Sequence, residues 1–407
     1  MPDSAIGIRH DPRWIERSFS DVTELLRRGT APSYVSSSTV RVIGQRCVQS
    51  SGFQAEAARP HDPAQTSRSL IAEQGDVLLN STGAGTIGRS CVFDGKGVFA
   101  VDSHVTVLRA RRDLVEPRWL DLILRSPWGQ RHLESHCFLG STNQVELSRA
   151  ELAGTMIPVP SLSEQRRIIE VIDAASAQER AIEASIVKLR SVRQGAQLAF
   201  MRRVTAGAVE VAWTPVRDVG EVRMGKQLSP DSRAAGGQRP YLRVANVFAG
   251  WIDYSDVNIM GFTRAERSVY GLAPGDILLN EGQSLELVGR SAIYRGGVGE
   301  YCFQNTLVRF RSGGRVIPEY AQLVFEYWLQ SGVFAAISKK TTSIAHLGGD
   351  RFSALRFPLV SLSEQRESVA SLARCDESIR AEMGELAKLR KLKQGLVNDL
   401  LSGRVAV

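Results

Sequence analysis

Two polar stretches hold the side chains best placed for chemistry on another molecule. GSTNQ at 140–144 offers Ser141, Thr142, Asn143 and Gln144. KKTTSIAH at 339–346 offers Lys339, Lys340, Thr341, Thr342, Ser343 and His346. Amide, hydroxyl and cationic groups of this kind bond to nucleobase edges and phosphate oxygens. Arg41, Arg46, Asn80 and Arg89 belong to the same chemical set, as do Arg243, Asn246, Asn280 and Arg290. Taken singly, each is also an ordinary surface or turn residue. The net charge of +8, from 51 Lys and Arg against 43 Asp and Glu, favours a polyanionic partner without identifying one.

Other chemistries find little support. His132, His136 and Cys137 lie in HLESHC, which is not HExxH and lacks that motif's general-base carboxylate, so two exposed helix histidines are expected rather than a metal site. The five cysteines are scattered and form no CxxC pair, which indicates neither a disulfide framework nor a zinc knuckle. STGAGTIG at 81–88 lacks the lysine of a phosphate loop and reads as a turn. No dinucleotide fingerprint or catalytic triad motif is visible. The N-terminus has no signal-peptide pattern and no apolar run spans a bilayer, so a cytoplasmic protein is expected.

The elements that must position these residues are set by an internal repeat. SLSEQR occurs at 161–166 and again at 361–366. GDVLLN at 75–80 matches GDILLN at 275–280, and Gly88-Arg89-Ser90 matches Gly289-Arg290-Ser291. Pro117 matches Pro318, and Ile157-Pro158 matches Phe357-Pro358. Leu189-Arg190 and Gln194-Gly195 recur as Leu389-Arg390 and Gln394-Gly395. The chain is therefore two copies of one unit of about 200 residues. The stretch after each SLSEQR matches throughout in pattern. The stretch before it keeps only islands, as expected of two domains with different targets on a shared frame. An ancient duplication that left only a symmetric scaffold would not concentrate its drift there.

Each SLSEQR opens a long helix. Ser161 with Glu164, and Ser361 with Glu364, have the spacing of a capping box. Apolar residues then alternate at spacings of four and three. One seam runs Ile168, Ile172, Ala175, Ile182, Ile186, Leu189, Ala196, Phe200; the other runs Leu372, Cys375, Ile379, Leu386, Leu389, Leu396, Leu400. Glu179, Arg193, Glu382 and Lys393 interrupt the seams, as cross-helix pairs or as exposed positions. About 40 residues give a rod of roughly 60 Å, and the two helices are each other's obvious partners, running antiparallel. Gly195 and Gly395 suit either close helix approach or contact with another protein.

The residues before each helix read as mixed α/β domains. Strands are expected at 40–43, 76–79, 90–93 and 99–108, and again at 241–244, 276–279, 291–294 and 301–309. A proline-started helix is expected from Pro117 to about Glu134 and from Pro318 to about Ile337. The division is then an N-terminal tail at 1–13, domains at 14–160 and 208–360, and spacer helices at 161–207 and 361–407.

These features together resemble the specificity subunit of type I restriction-modification enzymes. Two variable domains, each with a GDILLN-like strand, an IP-x-P-like approach and a long helix ending in LR…QGL…LLSGRV, carry the resemblance from about residue 14 onward. The first copy degrades the ending to QGAQLAFMRRVTAG, where the chain continues into the second domain. The resemblance implies two target recognition domains, each reading half of a bipartite asymmetric DNA site, with a pseudo-twofold frame of coiled-coil spacer helices as the ruler. It implies two adenine methyltransferase subunits as partners, an ATP-driven restriction subunit for cleavage, and S-adenosylmethionine held by the methyltransferase rather than by this chain. No catalysis is expected, and the chain has no [DN]PP[YF] motif, no Walker A motif and no nuclease carboxylate cluster. The alternatives are a duplicated protein-binding adaptor and a fused methyltransferase-specificity enzyme.

Overall fold

Both long helices begin at their expected caps. Ser161 Oγ accepts from the Glu164 amide at 3.3 Å, and Ser361 Oγ accepts from the Glu364 amide at 3.2 Å. The return bond from either glutamate is not formed among the described residues, so only half of each capping box exists. The computed structural model describes residue 11 and residues 13–140, 145–229, 237–341 and 344–405.

The neighbouring glutamine of SLSEQR does more than the cap. Gln165 Oε1 accepts from the Glu116 amide at 2.8 Å, while Nε2 donates to the Leu114 and Pro160 carbonyls at 3.1 and 2.9 Å. Gln365 repeats the pattern with the Ile317 amide and the Arg315 and Val360 carbonyls, each at 3.0 Å. Both glutamines are fully buried. Glu116 and Ile317 are the N-caps of the proline-started helices, and neither caps with its own side chain. One carboxamide therefore joins the start of the long helix to the start of the domain's packing helix.

The chain divides into two compact units, one of 1–183 with 385–407 and one of 184–384. The long helices Leu162–Thr205 and Leu362–Leu401 each give one part to each unit. Within the first unit, Ile168 and Ile172 share a core with Leu400 and Leu401. Glu179 accepts from Lys393 Nζ at 2.8 Å and from Arg390 Nε at 2.7 Å. Within the second unit, Phe200 shares a core with Leu372, Arg193 Nε donates to Asp376 at 2.6 Å, and Ser185 Oγ donates to Glu382 at 2.9 Å. In each unit the partner numbers fall as the helix numbers rise, so the paired segments are antiparallel. The polar interruptions of the seam are thus cross-helix pairs, not exposed positions. Ile172, Ile186, Leu372, Ile379 and Leu386 are buried, while Ile182, Leu189, Leu389 and Leu396 are half-buried. A Cβ added at Gly195 or Gly395 would meet nothing, so neither glycine serves close helix approach.

Each unit carries an antiparallel four-stranded sheet with the same order. In the first it is Thr23–Arg28, Val105–Ala110, Val77–Asn80, Ser90–Val92. In the second it is Gly220–Met224, Leu307–Ser312, Ile277–Asn280, Ser291–Ile293. The strand inside each GD(V/I)LLN is buried on both faces. Val77 and Leu79 pack with the helices while Leu78 packs in a second core, and Ile277, Leu279 and Leu278 divide likewise. A short three-stranded sheet adjoins, with one antiparallel and one parallel pairing around Val40–Ile43 and around Gln238–Leu242. Trp119 Nε1 donates to the Pro158 carbonyl at 3.0 Å and Tyr320 OH to the Pro358 carbonyl at 2.7 Å, which ties the proline-started helix to the matched prolines.

Five sequence expectations are corrected. The run 99–108 is two strands, Val98–Val101 and Val105–Ala110, because Asp102 caps a turn by accepting from the His104 amide at 3.0 Å. The run 301–309 splits in the same way into Cys302–Phe303 and Leu307–Ser312, and the strand expected at 241–244 ends at Leu242. The helix from Pro117 stops at Arg125, where Pro127 cannot continue the ladder and Ser126 caps a new helix. Its counterpart Pro318–Gln330 stops before Gly332, which takes the left-handed conformation at φ 77°.

Replacing Gln365 by leucine should lower the stability of the unit spanning 184–384 by about 3 kcal/mol, since three buried backbone groups lose their partner. Ser361→Ala should cost only about 1 kcal/mol. Urea unfolding followed by tryptophan fluorescence checks the ranking. Hydrogen bonds from Lys393 and Arg390 hold the Glu179 carboxyl below its ordinary 4.5. Its stabilising contribution is therefore full above that value and lost as pH falls through the lower folded-state pKa. Urea midpoints between about pH 3 and 6 should fall less steeply in Glu179→Gln than in the parent chain.

Candidate nucleic-acid interface

In the first unit, polar side chains converge at the end of the strand Val77–Asn80. Gly88 closes the loop 81–88 by donating its amide to the Asn80 carbonyl at 2.9 Å. Its φ of 81°, matched by 83° at Gly289, is why a glycine recurs there. A side chain at Gly289 would also strike the Phe334 ring at 2.2 Å. Gln45 Nε2 donates to the Thr82 carbonyl and Oγ1 at 2.6 and 2.8 Å, and Thr82 Oγ1 lies 2.8 Å from His104 Nδ1. Thr82 bridges to Glu146, whose carboxylate accepts from Arg28 at 2.7 Å. Ser141, Thr142, Asn143 and Gln144 lie outside the described residues.

The second unit builds the equivalent place from a small sheet. Lys339–Lys340 pairs with Ala345–His346, which pairs with Gly282–Gln283. His346 Nδ1 sits 3.0 Å from Glu281 Oε2. Thr341 Oγ1 donates to the Ile344 carbonyl at 2.8 Å. Lys339, Lys340 and Thr341 are exposed. Thr342 and Ser343 lie outside the described residues. The structure thus gathers Lys339, Lys340, Thr341 and His346 beside the loop that follows Asn280.

Several other candidates are engaged within the fold. Asn80 and Asn280 are fully buried, and their side-chain amides donate to the Gln45 and Val247 carbonyls at 3.2 and 3.3 Å. Asn246 is buried and donates to the Asp253 and Asp256 carbonyls. These three asparagines hold loops in place. Arg41 donates to the Ala58 carbonyl at 2.7 Å, and Arg243 to Asp256 at 2.6 Å, so both guanidiniums are half-buried braces. Arg290 lies 4.8 Å over the Phe248 ring, and burial pushes its pKa down. Arg46 and Arg89 are exposed, with Arg89 donating to the Gly85 carbonyl at 2.6 Å. Sequence reasoning missed Gln45, Thr82, His104 and Glu146. The only signal for Gln45 was its place beside Arg46.

The histidine segment is also corrected in part. His132 is half-buried, with Nε2 3.0 Å from Thr155 Oγ1 and its ring stacked on His136 at 4.6 Å. No cluster of three or more His, Cys, Asp or Glu side chains suited to a metal occurs among the described residues. All five cysteines are free; burial pushes the Cys91 thiol up to about 12 and the Cys302 thiol up to about 11, which keeps both protonated and unreactive.

The sequence matches the family described as type I restriction modification DNA specificity domain, over residues 14–188 and 210–391. The chain belongs to the type I restriction-modification DNA specificity family. Specificity subunits of this kind are non-catalytic. This one is 21% identical to the type I restriction enzyme EcoKI specificity subunit of Escherichia coli K12, across 96% of this chain and 89% of that one. Its fold is similar to the HsdS subunit of Thermoanaerobacter tengcongensis, with TM-score 0.51 and 17% identity, covering 97% of this chain and 98% of that one. A chain from a structural study of complex assembly and conformational transition in the type I R-M system gives TM-score 0.59 and 18% identity, covering 97% and 99%. Among the described residues of this specificity subunit, no helix is long and apolar enough to cross a membrane.

Asn280→Ala separates bracing from contact. It should cost about 1–2 kcal/mol in stability by orphaning a buried carbonyl. The folded fraction should keep its DNA affinity, as measured by thermal melting alongside a DNA-binding titration.

Proposed function

We propose that each unit carries one target recognition domain, at 14–160 and 208–360, and that each reads one half of a bipartite asymmetric DNA site. One observation carries this reading: two units with the same sheet order differ in what stands beside the end of the same strand, Phe138–Leu139 with Glu146–Leu147 next to Val77–Asn80, and Lys339–Lys340 with Ala345–His346 and Gly282–Gln283 next to Ile277–Asn280. A shared frame with different loops suits two different half-sites. Arg46, Arg89, Lys339, Lys340, Thr341 and His346 are the contact residues among those described, with Ser141, Thr142, Asn143, Gln144, Thr342 and Ser343 completing the loops. The spacer helices at 161–207 and 361–407 set the unread gap and dock two methyltransferase subunits, which bind S-adenosylmethionine. Restriction subunits join that assembly where DNA is cleaved. Action in the cytoplasm, where the DNA lies, belongs to the same reading.

The test is to co-express the chain with its methyltransferase subunit and sequence the methylated adenines. A split motif with a fixed gap is expected; methylation without such a motif would refute the proposal. Inserting one heptad into each long helix, at Ala184 and Gly384, should lengthen the gap by about three base pairs and leave both half-sites unchanged. Substituting Lys339 and Lys340 together by alanine should weaken binding to all sequences alike. It should also reduce the slope of log affinity against log salt by about 2.

A further inference from the structure

The second unit holds a cleft of about 610 Å³ away from the polar loops. It lies between the helix Pro318–Gln330, the hairpin turn at 248–251 and the long-helix segments of the same unit. Its volume falls in the range of sites that hold ligands.

At the matching place the first unit has a smaller cleft of about 250 Å³, lined by Pro127, Glu179, Arg390, Lys393, Gln394 and Val397. There Arg118 bonds Asp121 and reaches Asp173 at 2.6 Å, and Arg125 approaches Asp121 at 3.4 Å while donating to the Ser50 carbonyl at 2.6 Å. The repeat replaces Arg118, Asp121, Arg125 and Asp173 by Glu319, Gln322, Glu326 and Ala373. With Ala373 in the place of Asp173, the counterpart of the Arg118–Asp173 bridge is gone, and Arg193 on Glu326 at 3.2 Å ties the packing helix to the other long helix instead.

What replaces it is suited to a guest. Trp251 is 54% exposed and stacks on Phe248 at 4.5 Å and 11°, with the Arg290 guanidinium 4.8 Å from Phe248. This aromatic ledge is held in place before anything binds, which lowers the entropic cost of contact. Gln322 lines the cleft and is 6% exposed. Its Nε2 donates to Ser291 at 3.1 Å, but its Oε1 has no partner among the described residues. That unmet acceptor suits a peptide N–H.

The charges select the guest's sign. Arg193 already holds Glu326 at 3.2 Å and Asp376 at 2.6 Å. Arg380 has no partner among the described residues. Among the described residues Arg190 bonds to nothing beyond the Met383 thioether, at 3.9 Å. Arg295 is loosely placed, 3.7 Å from Glu319, with its side chain 71% exposed. Arg193 is taken up by Glu326 and Asp376 and Arg295 faces Glu319, so Arg380 and Arg190 are the lining bases without an acidic partner among the described residues.

We propose that this cleft binds a short acidic peptide segment of a protein partner, one per chain, with an apolar side chain against Trp251 and its carboxylates on Arg380 and Arg190. The proposal does not depend on the units reading DNA. Arg380 is exposed and Trp251 is at the rim, so substituting either leaves the core intact.

The test uses the full chain and fluorescein-labelled peptides of alternating glutamate and leucine, or of lysine and leucine, followed by anisotropy. The glutamate peptide should bind saturably and the lysine peptide should not. Arg380→Glu and Trp251→Ala should each weaken binding about tenfold, with circular dichroism unchanged. Arg180→Glu, the matching position in the first unit, should leave binding as it was. Absent binding, equal binding of the lysine peptide, or equal loss in Arg180→Glu would overturn the proposal. Displacement of the peptide by ATP or by short duplex DNA would reassign the cleft to a nucleotide or to nucleic acid, and would overturn it too.

Discussion

A buried carboxamide at the first turn of each long helix is the contact on which the rest depends. Gln165 and Gln365 each bond three backbone groups drawn from two separate segments. Without them, the long helix and the packing helix would start independently, and small errors in angle would grow along some 60 Å of rod. The tryptophan and tyrosine bonds to Pro158 and Pro358 fix the same junction from the other side. The loops after Asn80 and Asn280 inherit their position from this junction through the sheet that the packing helix covers.

The polar interruptions of the helix seam have a comparable role at lower cost. Glu179 with Lys393 and Arg390, and Arg193 with Asp376, match opposite charges at one register only. A slip of the helices would leave those groups half-buried and unpaired, which is the use of polar seam residues with the clearest physical basis. The apolar residues hold the helices together, and the charged ones decide which turn meets which.

What was legible in the sequence was local and periodic. The caps at Ser161 and Ser361 and the seam follow from spacing alone. What was not legible was depth. Asn80, Asn246 and Asn280 have the residue type of a base reader but sit inside the fold, and nothing in their neighbours betrays it. Gln165 was missed for the converse reason: a glutamine on a helix counts as surface until the carbonyls it faces are known. The break at Asp102 was hidden because the turn it caps lies inside an otherwise strand-like run. The set Gln45, Thr82, His104 and Glu146 is assembled from segments up to about 100 residues apart, beyond any spacing rule.

The division of the long helices between the units bears on how the protein is made. Residues 184–384 are continuous, whereas the other unit needs 385–407 as well as 1–183. On a ribosome, the second unit can close while the first still lacks Leu400 and Leu401, which complete its core. The earlier-made unit therefore completes its core last. Asp11 and Ser402 are joined by a backbone bond of 2.9 Å once it closes. A circular permutant that links those ends and opens near residue 184 would make both units continuous, at the expense of a break inside the helix Leu162–Thr205.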